Sequence, residues 1–146
     1  IAELVEAGEW TELNDRFFRS LAFGTGGIRG RTIGRIVTAA ERGTPNELGR
    51  PEFPCVGTNA MNFDSVSRAT QGLGDYVRNW FVREKLSGRP KLVIAHDTRF
   101  FSTDFTKLAA EIAAKNGCDA FIFARAWCRS RISRLRAAVQ RPSSSA

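Results

Sequence analysis

Residues 23–30 read Phe-Gly-Thr-Gly-Gly-Ile-Arg-Gly, four glycines in eight positions with an arginine near the end. The backbone N–H groups of Gly24, Thr25, Gly26 and Gly27 can turn toward an anion. Arg29 adds a fixed charge whose planar fork suits phosphate. The same composition describes a tight turn beside a surface arginine, and the residues alone leave both readings open. No Gly-Lys-Ser/Thr follows, so the segment is not a P-loop, and it lacks the GxGxxG register of a dinucleotide site.

A second group is His96-Asp97-Thr98-Arg99. Asp97 has the chemistry of a base or metal ligand, but the same residue can cap a helix or pair locally with Arg99. His96 is the only histidine, so any histidine-dependent chemistry must use it. Asn59 and Asn62, just before a helical pattern, suit turn and cap roles. Cys55, Cys118 and Cys128 are too widely spaced for a CxxC metal pair and too few for an even disulfide framework. They read as free thiols in a reducing compartment.

Hydrophobic periodicity supplies the frame that must position these residues. Leu13, Phe17 and Leu21 predict a short amphipathic helix within Thr11–Leu21, and Ile33 to Val37 a strand. Residues 41–55, rich in Pro and Gly, predict an irregular surface loop. Val66, Ala69, Leu73, Tyr76 or Val77, and Trp80 recur at helical spacing behind Asp64 or Ser65 as N-cap, with Gly88 and Pro90 as the stop. Leu92-Val93-Ile94-Ala95 is a strand ending at His96. Ser102 or Thr103 caps a helix with apolar face Phe105, Leu108, Ala109, Ile112 and Ala113, closed by Asn116-Gly117, and Ala120 to Phe123 is the next strand. Trp10, Trp80 and the phenylalanines are expected in the core. Strand, helix and strand with tight connections make a βαβ unit. The expected fold is α/β, a three-layer α/β/α domain with a mixed, mostly parallel sheet. In such sheets ligands gather beyond the carboxyl ends of strands, where His96–Arg99 falls.

The 146 residues, 42% hydrophobic and 25% charged, suit one globular domain rather than a disordered chain. The net charge of +7 suggests a polyanion partner until its distribution is examined. Residues 1–123 hold 16 of the 22 basic residues and all 15 acidic ones, leaving +1. Residues 124–146 hold Arg125, Arg129, Arg131, Arg134, Arg136 and Arg141 and no acid. The high charge belongs to that tail, which reads as disordered or as a translation out of frame. No apolar run reaches the roughly 18–20 residues of a membrane span. Glu3, Glu6, Glu9 and Glu12 exclude a signal-peptide pattern. The chain opens at Ile1 and its only methionine is Met61, so a natural start is expected upstream.

Taken in order, the motifs resemble the α-D-phosphohexomutases, the phosphoglucomutase/phosphomannomutase superfamily. Residues 23–30 are similar to the family's FGTxGxRG signature. Asn59-Ala60-Met61-Asn62, followed by Ala69-Thr70-Gln71-Gly72-Leu73, resembles the segment leading into the next helix. Val93 to Arg99 with Ser102 is similar to the strand ending GYDxRxxS. Ala60 stands where an arginine is common, and Ala95-His96 replace Gly-Tyr. The NxMN form and the long preceding loop look closest to the phosphoglucomutase/phosphopentomutase-like branch.

The resemblance implies domain I over residues 1–123, incomplete, followed by the tail. It implies an intramolecular phosphotransferase of carbohydrate metabolism, an isomerase acting in the cytoplasm on a phosphosugar. Transfer would run through a phosphoserine and a bisphosphate intermediate, with Mg²⁺ and a sugar bisphosphate activator. Arg29 then becomes the active-site cation, and Thr25, Gly26 and Gly27 line the substrate site. The family's phosphoserine loop, Thr-Ala-Ser-His-Asn-Pro, does not occur here, because the sole histidine is flanked by Ala95 and Asp97. Nor does Asp-Gly-Asp-x-Asp, the metal loop. The expectation is an N-terminal mutase fragment, inactive alone, without membrane or nucleic-acid partners. Two alternatives stand beside it: a non-catalytic module with a polyanion-binding tail, and an unrelated nucleotide-binding α/β domain.

Overall fold

The computed structural model describes residues 1–44 and 47–123, with 139–140 as backbone. They form two compact units, Ile1–Ser65 and Val66–Ala146, which divide within the first turn of a long helix. Cys128 and the greater part of the basic tail lie outside the described residues.

In the first unit, α1 (Ala2–Glu6) and α2 (Trp10–Phe17) precede a hairpin of two short antiparallel strands, β1 (Phe23–Gly24) and β2 (Gly27–Ile28). The helix expected at Thr11–Leu21 is thus present but ends earlier, at Phe17. The strand expected at Ile33–Val37 is absent. The Ile36 carbonyl accepts instead from the Arg16 guanidinium at 2.7 Å, and only Arg31 forms a bridge, parallel to Ala60. Residues 41–55 also depart from expectation. They begin inside a single-turn helix, α3 (Ala39–Arg42), and Pro51, Pro54 and Cys55 are buried rather than on the surface. Backbone bonds from Glu52 to Arg42, Phe53 to Glu41 and Cys55 to Thr32 draw this loop inward.

The long helix, α4 (Phe63–Arg83), starts one residue before the expected caps. Asn62 takes that role: its Oδ1 accepts from the Ser65 N–H at 3.0 Å, and Ser65 Oγ accepts from the Asn62 N–H at 2.9 Å. The helix stops before Gly88 because Lys85 adopts φ 52°, and Leu86 and Lys85 donate back to the Phe81 and Val82 carbonyls, a Schellman close.

In the second unit, β3 (Lys91–Ile94) and β4 (Asp119–Phe123) pair in parallel through α5 (Ser102–Lys115), the βαβ arrangement expected. Neither Ser102 nor Thr103 caps α5, however: Phe101 stands at its N-cap, and Ser102 Oγ accepts from the Asp97 N–H instead. A short β5 (Val139–Gln140) pairs antiparallel with β4, giving a mixed sheet in the order β3-β4-β5. The fold class is α/β. Gly117, at φ 81°, closes α5 through Schellman bonds from Gly117 to Ala114 and Cys118 to Ala113. The buried face of α5 is turned slightly from the expected one. Thr106, Ala110 and Ala113 are buried with Phe105, while Leu108, Ala109 and Ile112 are half-buried. Small side chains at 110 and 113 let the helix lie close on Ala120, Leu92, Ile94 and Ile122. Asn116 and Gln71 exchange reciprocal amide bonds of 2.8 and 2.9 Å, tying the end of α5 to α4.

The aromatic and apolar residues expected in the core are only partly there. Leu73, Tyr76 and Trp80 form an exposed stripe on α4, Val93 on β3 is 67% exposed, and Trp10 and Phe23 face solvent. The buried line of α4 runs through Val66 and Gly74, a neighbouring face of the helix. Among the described residues no helix is long and apolar enough to cross a membrane.

Removing the α4 cap tests the account of how that helix starts. Asn62→Ala loses the cap and two further bonds from Nδ2 to the Cys55 and Gly57 carbonyls. It is expected to cost about 1–2 kcal/mol in denaturant unfolding.

Candidate functional site

The four predicted site residues share one hairpin. Thr25 and Gly26 form its turn and Gly27 opens its second strand. Gly26 sits at φ 80°, a conformation costly for a side-chain-bearing residue, which explains glycine there. A Cβ at position 26 would lie 3.6 Å from Arg29 Nη2, so the guanidinium rests beside the turn. Phe23 to Gly26 and Arg29 are exposed. Among the described residues no hydrogen bond or ion pair engages the Arg29 guanidinium. The hairpin thus presents a free fork next to exposed backbone, the arrangement an anion requires.

Two other arginines in this unit, Arg16 and Arg31, are engaged by carboxylates. Arg16, 1% exposed, donates through Nε to Glu12 Oε1 at 2.7 Å and through Nη1 to Glu41 Oε1 and the Val56 carbonyl. Its Nη2 donates to the Ile36 carbonyl at 2.7 Å and Glu41 Oε2 at 3.2 Å. Every guanidinium N–H is used. Glu12 also holds Arg31, whose Nη2 and Nη1 lie 3.0 and 3.2 Å from its two oxygens. Asp15 pairs with Arg31 at 3.0 Å. Glu41 takes the Val56 and Thr38 N–H groups, the latter completing a capping box for α3.

Burial pushes the Glu12 and Glu41 carboxyls up, but Arg16, with Arg31 for Glu12 and backbone donors for Glu41, holds both below the ordinary carboxylate value. Burial likewise opposes the Arg16 charge, yet Glu41 and Glu12 raise its pKa. None of these four residues was singled out from sequence. Thr38-Ala-Ala-Glu41 carries the capping-box spacing and Glu12 precedes Arg16 by four. Those signals were available; the burial was not.

His96–Arg99 leaves the end of β3 as expected, but its groups serve each other. Asp97 Oδ1 accepts from the Arg99 N–H at 3.0 Å, Ser102 Oγ accepts from the Asp97 N–H at 3.1 Å, and the Arg99 head pairs with Asp97 at 3.1 Å. The Arg99 N–H, then the Ser102 hydroxyl and Arg99 charge, hold Asp97 below the usual carboxylate range against mild burial. This is a strand-to-helix turn. Cys55 and Cys118 are buried free thiols whose pKa burial pushes up, which makes them unreactive.

The family model for phosphoglucomutase/phosphomannomutase, alpha/beta/alpha domain I, matches residues 55–133. The chain belongs to this family. The matched residues include the βαβ unit and run past β4, while the Gly-rich hairpin precedes them. The chain is also similar to a phosphoribomutase of Saccharomyces cerevisiae (strain ATCC 204508 / S288c), 28% identical over 110 residues. That alignment covers 75% of this chain and 13% of the relative, so the chain spans a small part of that protein's length. No solved structure matches. Among the described residues of this family member, no group of three or more His, Cys, Asp or Glu side chains could hold a metal ion. They offer no cage for the Mg²⁺ that the resemblance implies.

Two outcomes test the buried charge cluster. Because both carboxyls titrate below their unfolded values, their stabilisation is complete above the ordinary glutamate pKa and is lost as pH falls through the depressed folded values. Chemical denaturation from pH 7 to pH 3 should show that decline, and Glu12→Gln or Glu41→Gln should flatten it. A Cβ at Gly34 would stand 2.3 Å from Arg16 Nη2 and 2.8 Å from Glu12 Oε1. Gly34→Ala must therefore open the cluster, and is expected to cost about 3–5 kcal/mol, the scale of breaking a buried ion pair.

Proposed function

We propose that this chain is part of a phosphosugar mutase that moves phosphate between the 1-position and the terminal hydroxyl of a sugar phosphate. The observation that carries the proposal is the free Arg29 fork beside the Thr25-Gly26 turn, in a chain of this family. Phosphate is bound best by a charged, bidentate donor combined with backbone N–H groups, and the hairpin offers both. Arg29 contacts the phosphoryl group, while Thr25, Gly26 and Gly27 line the bound sugar phosphate. In-line phosphoryl transfer depends on positioning and on stabilising charge spread over the equatorial oxygens, and a guanidinium supplies part of that stabilisation.

The reaction reading includes a phosphoserine, a bisphosphate intermediate and Mg²⁺, which neutralises charge on the transferred group when bound. This sequence has no Ser-His-Asn loop and no alternating aspartates. The chain by itself therefore binds but does not turn over. Its setting is the cytoplasmic metabolism of carbohydrates.

The test is a titration of the purified chain with glucose 6-phosphate and glucose 1-phosphate, followed by amide chemical shifts and calorimetry. Binding should shift the amides of residues 24–27. Arg29→Ala should weaken it about ten- to a hundredfold, the loss of a charge-assisted hydrogen bond of about 1.5–3 kcal/mol. A coupled mutase assay should show no turnover. Equal affinity in Arg29→Ala would refute the site.

A further inference from the structure

We infer that Arg31, held by Glu12 and Asp15, is the positioning residue of the phosphate-binding hairpin; the inference rests on the reading of that hairpin given above. Strands β1 and β2 have two residues each, and a two-stranded ribbon this short does not hold its own pose in water. Its orientation must come from its two stems. On the entering side, the Leu21 N–H donates to the Thr58 carbonyl at 2.9 Å. On the leaving side, the Arg31 carbonyl accepts from the Met61 N–H at 2.9 Å. Thr58 in turn donates its hydroxyl to the Arg19 carbonyl, and Asn59 is tied to α2 through the Asp15 and Arg16 carbonyls.

These backbone ties fix where the stems lie. The side chain of Arg31 adds an ionic anchor at a position two residues from Arg29. Its fork engages both Glu12 oxygens and Asp15, and Glu12 is itself locked by the buried Arg16. A chain of charge-assisted bonds thus leads from a buried guanidinium to the base of the hairpin.

This arrangement divides labour between Arg29, inside the glycine-rich segment, and Arg31, just beyond it. The charge of Arg31 is matched by two carboxylates and adds little field at the anion site, whereas that of Arg29 is free. Arg31 acts through geometry. That makes a distinction ordinary electrostatics cannot mimic. Lysine keeps the charge of Arg31 but not its planar fork. Asp15→Asn removes a negative charge, which on field alone would tighten anion binding. Asp15 is half exposed, outside the buried cluster, so this variant carries little folding risk.

The experiment uses glucose 6-phosphate as probe, with hydrogen exchange of the residue 24–28 amides and a thermal melt recorded for each variant. Arg31→Lys is expected to lower affinity about five- to tenfold and to speed hairpin exchange while the rest of the chain melts cooperatively. Asp15→Asn is expected to weaken binding about two- to threefold. Wild-type affinity and exchange in Arg31→Lys, or tighter binding in Asp15→Asn, would overturn the inference while leaving the site intact. If instead the wild-type hairpin ignores glucose 6-phosphate, or Arg29→Ala binds equally well, the site reading fails. The positioning claim is then decided by hydrogen exchange alone: faster hairpin exchange in Arg31→Lys supports it and unchanged exchange overturns it.

Discussion

The first unit is organised around one buried guanidinium. Taking Arg16 out of water is costly, and the structure offsets that cost only by meeting all of its N–H groups with acceptors from four residues, Glu12, Ile36, Glu41 and Val56. Glu12 comes from the same helix, Glu41 from the single-turn α3, and two carbonyls from the irregular segments at Ile36 and Val56. Few other arrangements would satisfy this set. The cluster therefore specifies how α2, α3 and the loop between Gly43 and Cys55 come together, which apolar packing alone would leave loose in so small a unit.

The same cluster decides which charges are available to a ligand. Arg16 and Arg31 are neutralised by Glu12, Glu41 and Asp15, so neither presents a free positive charge. Arg29 stays exposed on the hairpin, beside the turn at Gly26. Two arginines two residues apart, one inside the glycine-rich signature and one just after it, thus meet opposite fates. One faces solvent and the other folds back on α2, and it is the acidic face of α2 that makes the difference.

Much of the second unit was legible in the residues. The short apolar run of β3, the helical period of α5, the Asn116-Gly117 close and the parallel pairing of β3 with β4 follow from local patterns that tertiary contacts did not override. The buried face of α5 keeps the expected Phe105 and Ala113 but turns to Thr106 and Ala110 between them, leaving Leu108, Ala109 and Ile112 half-buried. Ile33–Val37 failed as a strand for a different reason. Its apolar residues suit one, but no partner strand is offered there and the Ile36 carbonyl is claimed by Arg16. Tyr76 and Trp80 fit an apolar helical face by spacing, yet spacing cannot say whether anything lies over it.

By itself the sequence determined the glycine-rich turn, the free thiols at Cys55 and Cys118, the βαβ unit and a resemblance that the family match places beyond composition. These depend on local conformational preference and on motif order, both written along the chain. Only the tertiary structure decided that Glu12, Arg16 and Glu41 are buried and that Arg29 and Arg31 differ in role. Such facts turn on which charges meet after folding, across separations of 19 residues for Arg31 with Glu12 and 25 for Arg16 with Glu41, and no local preference records that.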